Sequence, residues 1–138
     1  MNEVLLQKIE RLKEELLYLK DNKQNFLKKL DTSIETKKIV ERSVYLCAEI
    51  ALDTADLVIV HKGFPKPSTY SDSIYKLGEY KIIPREFSRK FVYIAGLRNF
   101  LAHDYQINNL PELRRFLKKG LSDIERFIKF IEKLWRKK

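Results

Sequence analysis

Residues that break secondary structure are scarce in this 138-residue chain, which holds only four glycines and four prolines. Both residue types interrupt helices and strands, so their scarcity leaves long segments that favour helices over many short strands. A chain of this length forms one domain and buries about two thirds of its unfolded surface, which is enough for a core without disulfides. We therefore predict an all-α fold, as a single domain over residues 1–138.

Cysteine and histidine are nearly absent as well. Cys47 is the only cysteine, so no disulfide can form within the chain, and its apolar helical surroundings predict a buried thiol in a reducing compartment. The two histidines are isolated and cannot build a zinc site with one cysteine. The sequence also lacks a glycine-rich phosphate loop and a nucleophilic serine motif. We expect neither a metal nor a cofactor.

Long apolar runs are missing. No segment reaches the ~18 apolar residues that a membrane-spanning helix needs, and the first residues lack the apolar core of a signal peptide. These patterns predict a soluble, cytoplasmic protein that does not contact a membrane.

Acidic residues are outnumbered, with 19 Asp and Glu against 28 Lys and Arg, for a net charge of +9 and a pI of about 9.6. An excess of this size favours polyanions, through counterion release on phosphate contact and through faster encounter. Surface lysine also serves solubility alone. The charge therefore permits nucleic-acid binding without requiring it.

Hydrophobic spacing and capping signals predict where the helices lie. Apolar residues repeat every 3.5 residues from Leu5 to Leu30, which predicts a helix with one apolar seam, and the polar run 21–25 is a candidate break in it. Thr32 with Glu35 resembles a capping box and starts the next helix, which runs to about Lys62. That helix is apolar over so wide an arc that its own bundle and a second subunit are expected to cover it.

The second half contains three further helical segments. A connector ends the long helix at Gly63, a short helix follows from Ser71 to about Glu79, and Pro84 opens the helix after it. Asn109 and Glu112 are expected to cap the final helix. The chain then forms an antiparallel bundle of about five helices.

One short stretch, residues 98–105, concentrates the chemistry. Arg98 offers a planar fork of donors that matches phosphate, and His103 can exchange a proton near neutral pH. Together these groups suit phosphoryl chemistry without a metal, with the imidazole as general acid or base and the guanidinium on the charge that develops at phosphorus. The other histidine, His61, is interpreted as structural or exposed.

Spacing sets a condition on this pair. On an unbroken helix five residues turn the chain by roughly 140° beyond a full revolution, so Arg98 and His103 would point in different directions. We expect the helix to end or kink between about Leu101 and His103, or two copies of the site to face each other in a dimer. Gly96, two residues before Arg98, either allows a close backbone approach or is a tolerated helix defect.

The stretch resembles a known family. Arg98, His103 and Tyr105 form the R-x4-H-x-Y signature of HepT-like toxins of the HEPN superfamily, and the order of helices and connectors from Thr32 to Trp135 is similar to that family too. The resemblance implies a HEPN-like bundle, a homodimer and a metal-independent endoribonuclease that serves as the toxin of a type II-like toxin–antitoxin pair.

Further roles follow from the resemblance. RNA would be the substrate, with Arg98 and His103 catalytic and Asn99 positioning the motif through backbone hydrogen bonds. Tyr105 would accept AMP from a minimal nucleotidyltransferase antitoxin, which silences the toxin by placing a bulky anion beside the site. The alternative is a non-catalytic helical subunit that binds a substrate or nucleotide for such a nucleotidyltransferase.

Two sets of charged residues on other helices bear on this hypothesis. Glu49, Asp53 and Asp56 share one face of the second helix, and we interpret them as a solvated face, with contact to Arg98 or His103 as the alternative. A basic patch at the start of the final helix is a candidate for holding the RNA backbone. It consists of Arg114, Arg115, Lys118 and Lys119.

Overall fold

The computed structural model describes residues 2–103 and 108–136, and within these ranges it contains helices and no strand. The helices are α1 (Glu3–Lys29), α2 (Ile34–His61), α3 (Tyr70–Glu79), α4 (Arg85–Phe91), α5 (Tyr93–His103), α6 (Leu110–Arg115) and α7 (Leu121–Arg136), with a π-helical turn (Phe116–Gly120) between α6 and α7. Only Val92 separates α4 from α5, and α6 runs through the π-helical turn into α7. The described chain thus has five helical units, which confirms the predicted all-α bundle.

α1 is one continuous helix, so the predicted candidate break at residues 21–25 is wrong. Its apolar seam continues past the polar run, with Leu19 and Phe26 both buried. Asn22 keeps its side chain on the helix by donating from Nδ2 to the Tyr18 carbonyl oxygen at 2.9 Å. Polar residues without glycine or proline do not interrupt a helix whose seam is covered on both sides of them.

α2 begins one residue later than the predicted capping box requires. Ser33 is the N-cap, and its Oγ accepts a hydrogen bond from the Thr36 amide at 3.1 Å. Thr32 and Ser33 both carry hydroxyls suited to capping, so the sequence alone does not decide between them. The end of the helix, His61 with Lys62 as its cap, agrees with the prediction.

The core lies where α2 packs against α1, α3 and α5, with α7 closing over α1. The α1 seam and the inward stripe of α2 are buried, and Cys47 is fully enclosed as predicted. Ile50 is buried too, whereas Ile39 on the same helix is 44% exposed. Cover of this remaining face by a second subunit stays a prediction.

Close packing of α3 on α4 fixes where α5 starts. Gly78 has no room for a side chain, because an added Cβ would lie 2.6 Å from the Ser88 Cβ atom. The Ser88 hydroxyl donates to the Ile74 carbonyl oxygen at 2.8 Å across the same contact. Since α5 follows α4 after a single residue, this contact also sets the direction of the helix that carries Arg98.

The start of α6 differs from the prediction. Asn109 precedes α6, but its side chain makes no capping hydrogen bond. Instead its Nδ2 donates to Glu41 Oε2 on α2 at 2.7 Å, so the predicted Asn109–Glu112 capping box is wrong. A buried amide competes for the nearest charged acceptor, and here that acceptor is on another helix.

In residues 2–103 and 108–136 no helix has both the length and the apolar character that crossing a bilayer requires.

Candidate functional site

Arg98 projects from the middle of α5 onto the side of α2. Its Nε and Nη2 donate to the same oxygen of Glu49, Oε1, at 3.1 and 2.9 Å. Its Nη1 donates to Asn99 Oδ1 at 3.2 Å. The guanidinium is therefore held in one orientation by a carboxylate on a neighbouring helix.

Two tyrosines flank the guanidinium. Its central carbon lies 5.7 Å from the ring centroid of Tyr45 and 5.2 Å from that of Tyr70, within the range of cation–π attraction. The Tyr45 hydroxyl donates to Glu49 Oε2 at 2.7 Å. The Tyr70 hydroxyl donates to Asp53 Oδ1 at 3.1 Å. We call Tyr45, Glu49, Asp53, Tyr70 and Arg98 the Arg98 cluster.

The cluster changes the acidity of its members. Partial burial raises the pKa of Glu49, but the hydrogen bonds from Tyr45 and Arg98 and the positive charges nearby outweigh it, so the net pKa is below its usual value. Burial and the neighbouring Asp53 carboxylate raise the pKa of Tyr70 to about 12. At neutral pH the cluster holds a charged pair between two protonated phenols.

The interpretation of Glu49, Asp53 and Asp56 as a solvated face is wrong. Glu49 binds Arg98, Asp53 accepts from Tyr70, and Asp56 accepts a hydrogen bond from the Ser73 hydroxyl. The alternative, that this face borders the site and orients Arg98, is the one the structure supports for Glu49.

Tyr45 and Tyr70 were missed as site residues. Tyr45 carries a signal that sequence reasoning can use, because Tyr45, Glu49 and Asp53 follow one another at four-residue spacing on a helix. Tyr70 carries none, since it reaches Asp53 from 17 residues away along the chain.

His103 is the last residue of α5 and is exposed. The chain is helical as far as His103, so the kink or earlier end predicted between about Leu101 and His103 is absent, and the next residues lie outside the described ranges. Because α5 is continuous from Arg98 to His103, the two residues lie roughly 140° apart around its axis. One copy of the chain therefore presents them on different faces of one helix.

Within the described residues Asn99 contacts the motif through its side-chain oxygen, which accepts from Arg98 Nη1, and its backbone hydrogen bonds stay a prediction. Gly96 does not serve a close backbone approach, because no atom lies within 4 Å of the position its Cβ would occupy. Tyr105 falls outside the described residues. Within those residues no group of three or more His, Cys, Asp or Glu side chains is placed to hold a metal ion.

The predicted basic patch lines a surface groove of about 630 Å³ at the start of the last helical unit. Arg115, Lys118 and Lys119 are exposed there. Arg114 pairs with Asp31 in the turn after α1, so its side chain forms part of the groove wall. The groove is basic and solvent-facing, as contact with a phosphate backbone requires.

Comparison with known proteins identifies the family. A family model described as "Ribonuclease HepT-like" matches residues 5–131, nearly the whole chain. The chain belongs to the HepT-like ribonuclease family. This confirms the resemblance drawn from the R-x4-H-x-Y signature.

Two curated relatives align with parts of this HepT-like chain. The tRNA nuclease HepT of Aphanizomenon flos-aquae is 31% identical over 74 residues, which are 54% of this chain and 50% of that protein. The mRNA nuclease HepT of Shewanella oneidensis is 30% identical over 86 residues, 62% of this chain and 65% of that protein. The chain thus spans half to just under two thirds of the length of these relatives.

Solved structures show the same fold. The tri-AMPylated HEPN toxin of Shewanella oneidensis, solved in complex with an MNT antitoxin, superposes with a TM-score of 0.85 at 24% identity, over 96% of this chain and 98% of that one. A toxin–antitoxin structure with AMP-PNP superposes with a TM-score of 0.79 at 22% identity, over 96% and 98%. The HEPN-like architecture predicted for this HepT-like chain is confirmed.

Proposed function

We propose that this HepT-like chain is a metal-independent endoribonuclease, the toxin of a toxin–antitoxin pair. The observation that carries the proposal is the orientation of Arg98, whose guanidinium is held by Glu49 between two tyrosine rings. A permanently charged, pre-oriented guanidinium suits the charge that develops on a phosphate during cleavage. The names of the two curated relatives, a tRNA and an mRNA nuclease, support RNA as the substrate.

In the mechanism we propose, the 2′-oxygen of a ribose attacks the adjacent phosphorus while the bond from phosphorus to the 5′-oxygen breaks. His103 either takes the proton of the 2′-hydroxyl or gives a proton to the leaving 5′-oxygen. Arg98 stabilises the added negative charge on the phosphate oxygens. One imidazole cannot fill both roles in one step, so a second proton carrier is needed.

A second copy of the chain would bring an Arg98 and a His103 to the same phosphate. Arg98 and His103 lie on different faces of α5, so a single copy does not aim them at one phosphate from the same side. Two copies facing each other across a two-fold axis would place Arg98 of one copy near His103 of the other. We therefore propose a homodimer with two shared sites, each built from Arg98 of one copy and His103 of the other.

The nuclease is tested by incubating purified protein with single-stranded RNA in EDTA. Wild-type protein is expected to cleave, whereas Arg98→Ala and His103→Ala are each expected to lose at least about a hundredfold in rate, the contribution of one general acid–base or charge-stabilising group. Circular dichroism and thermal melting establish that both variants fold. Equal cleavage by all three proteins, or none by folded wild type, would reject the nuclease and favour a non-catalytic binding subunit.

For the partner, we propose a minimal nucleotidyltransferase antitoxin that transfers AMP to Tyr105. The structural neighbour named as a tri-AMPylated toxin in complex with an MNT antitoxin supports this. After incubation with the antitoxin and ATP, intact mass spectrometry is expected to show one or more AMP additions, absent from Tyr105→Phe. An addition that persists in Tyr105→Phe would assign the acceptor elsewhere.

A further inference from the structure

A second concavity lies on the side of α5 away from Arg98. It is a cavity of about 580 Å³ between α5 and the last helical unit, in the size range of small-ligand sites. Gly96 lies in its wall, and no atom lies within 4 Å of the position its Cβ would occupy. The missing side chain leaves the cavity open.

The cavity has aromatic and apolar walls. Leu97 and Phe100 line it from α5, and Phe116 lines it from the π-helical turn. The Phe116 ring lies directly over Gly120, so closely that a side chain on Gly120 would overlap it. The ring is therefore fixed in place, and flat rings of this kind are the surfaces on which nucleic-acid bases stack.

One polar atom of a residue in the cavity wall has no hydrogen-bond partner among the described residues. Glu112 lines the cavity, and within the described residues its Oε1 is buried without a hydrogen-bond partner. The other polar pair in the wall is satisfied, because the Tyr93 hydroxyl donates to Asp123 Oδ2 at 2.7 Å. A buried acceptor left unpaired costs free energy, and a turn of the Glu112 carboxylate toward an N–H donor in the cavity would recover it.

The rim is positively charged. Lys90, Arg115 and Lys119 line the opening and are exposed. Arg115 and Lys119 also line the basic groove, so the two concavities are adjacent and share these side chains. An RNA strand whose phosphates follow the groove would stay in contact with positively charged side chains until it reached the cavity.

The cavity is also next to the motif. Tyr93, Gly96 and Phe100 line it from one face of α5, and His103 continues that face one turn further on. Three residues of helix advance by about 4.5 Å. A nucleotide in the cavity would therefore be a neighbour of the phosphate at His103.

We propose that this cavity is a base-binding subsite for RNA that selects a base with an exocyclic amino group. The base packs against Phe100 and Phe116, its amino group donates to the Glu112 carboxylate, and its flanking phosphates contact Lys90, Arg115 and Lys119. Adenine, cytosine and guanine carry such a group and uracil does not. This inference rests on the proposed action on RNA and adds the base preference next to the site.

Binding of uncleavable RNA tests the subsite apart from catalysis. Fluorescence anisotropy is measured with 2′-O-methyl hexamers in two matched pairs, oligocytidine against oligouridine and oligoadenosine against oligoinosine, in which an amino group is exchanged for a carbonyl oxygen. The amino-bearing member of each pair is expected to bind roughly tenfold more tightly or better, the contribution of one hydrogen bond to a charged acceptor. Equal affinities within both pairs, or no binding of any hexamer, would overturn the subsite.

Variants locate the preference. Gly96→Leu fills the open cavity from an exposed helical position, and Glu112→Leu removes the acceptor. Both are expected to reduce the affinity for oligocytidine to that for oligouridine. Gln24→Leu, which places the same side chain on an exposed position of α1, is the control and is expected to bind as wild type. A preference that survives in both cavity variants would place base selection elsewhere.

The two proposals fail separately. RNA cleavage by wild type with no base preference would leave the nuclease and remove the subsite. A base preference lost in Gly96→Leu, together with no cleavage, would leave the subsite and remove the nuclease.

Discussion

At the scale of single residues, Glu49 both pairs with the positive charge of Arg98 and fixes the direction of the Arg98 guanidinium. Both its oxygens are used, one by Arg98 and one by the Tyr45 hydroxyl. The Glu49 and Arg98 side chains are 27% and 20% exposed, so their attraction contributes little to stability, on the order of 1 kcal/mol or less. The larger effect is on the direction of the guanidinium. Glu49 is thus a positioning residue.

Glu49→Gln tests this role. The amide keeps the shape but loses the charge and one acceptor, so Arg98 is held less firmly, and we expect the RNA cleavage rate to fall about tenfold with little change in melting temperature. Glu125→Gln, in the surface pair with Lys20 at 3.1 Å, removes the same charge away from the cluster and is expected to cleave as wild type. An unchanged rate in Glu49→Gln would refute the positioning role.

The Glu49 carboxyl also predicts a dependence of stability on pH. Its pKa is lower in the folded protein than in the unfolded chain, where it is about 4.3. The folded state therefore binds fewer protons, and this contribution is present above the unfolded pKa and lost as pH falls through the folded pKa. Acid unfolding followed by circular dichroism is expected to show a smaller loss of stability below about pH 4.3 in Glu49→Gln than in wild type. Identical acid-unfolding curves for the two proteins would contradict this contribution of Glu49 to stability.

Sequence reasoning found the motif but only part of its surroundings. Arg98 and His103 stand out because residues 98–105 combine a permanent cation with one of only two histidines in the chain, and helical spacing offered Glu49 as an alternative contact of the motif. Tyr70 could not be found from helical spacing, because its contact with Asp53 depends on the path of the connector after α2. The Asn109–Glu41 contact, between residues 68 apart, was hidden for the same reason. Tertiary contacts of this kind exist only once the helices have docked.

For whole helices, two glycines with opposite surroundings show how packing decides the effect of a side chain. Gly78 is pressed against Ser88 and Arg85 where α3 meets α4, whereas Gly96 faces open space on α5. Helix propensity alone would favour alanine at both positions.

Gly78→Ala is expected to lose about 1–3 kcal/mol of unfolding free energy, because the new methyl group overlaps Ser88 across the α3–α4 contact. Gly96→Ala is the matched control and is expected to gain up to about 1 kcal/mol. Urea denaturation measures both. A Gly78→Ala protein as stable as wild type would mean that α3 and α4 separate without cost.

Helix positions were predicted well where the signal is local. Pro84 directly precedes α4, and α3 begins one residue before the predicted Ser71. The continuation of α1 through its polar run was not predicted, because what keeps it helical is the surface that α2 and α7 offer to its seam. Local polarity suggested a break that tertiary packing overrides.

At the scale of the whole molecule, the shared-site dimer makes a distinct prediction. Arg98→Ala and His103→Ala are each expected to be inactive alone, but a dimer with one copy of each retains one complete site if Arg98 of one copy works with His103 of the other. Mixing equal amounts under conditions that allow subunit exchange is expected to restore about a quarter of wild-type activity, since random pairing makes half the dimers mixed and each has one of two sites.

Two controls frame the mixing experiment. Each variant mixed with itself stays inactive, and covalently crosslinked dimers that cannot exchange stay inactive on mixing. Sedimentation establishes that dimers are present. No recovery among exchanging dimers would mean that each copy uses its own arginine and histidine.

The burial of Cys47 gives the molecule an internal reporter. The thiol is sealed in the α2 stripe, and burial raises its pKa, so a soluble alkylating reagent reacts only when the helices around it separate. As the chain has no other cysteine, the rate of labelling by iodoacetamide would follow the opening of one known position. Bound RNA or antitoxin that tightens the bundle would then register as slower alkylation, with no engineered probe.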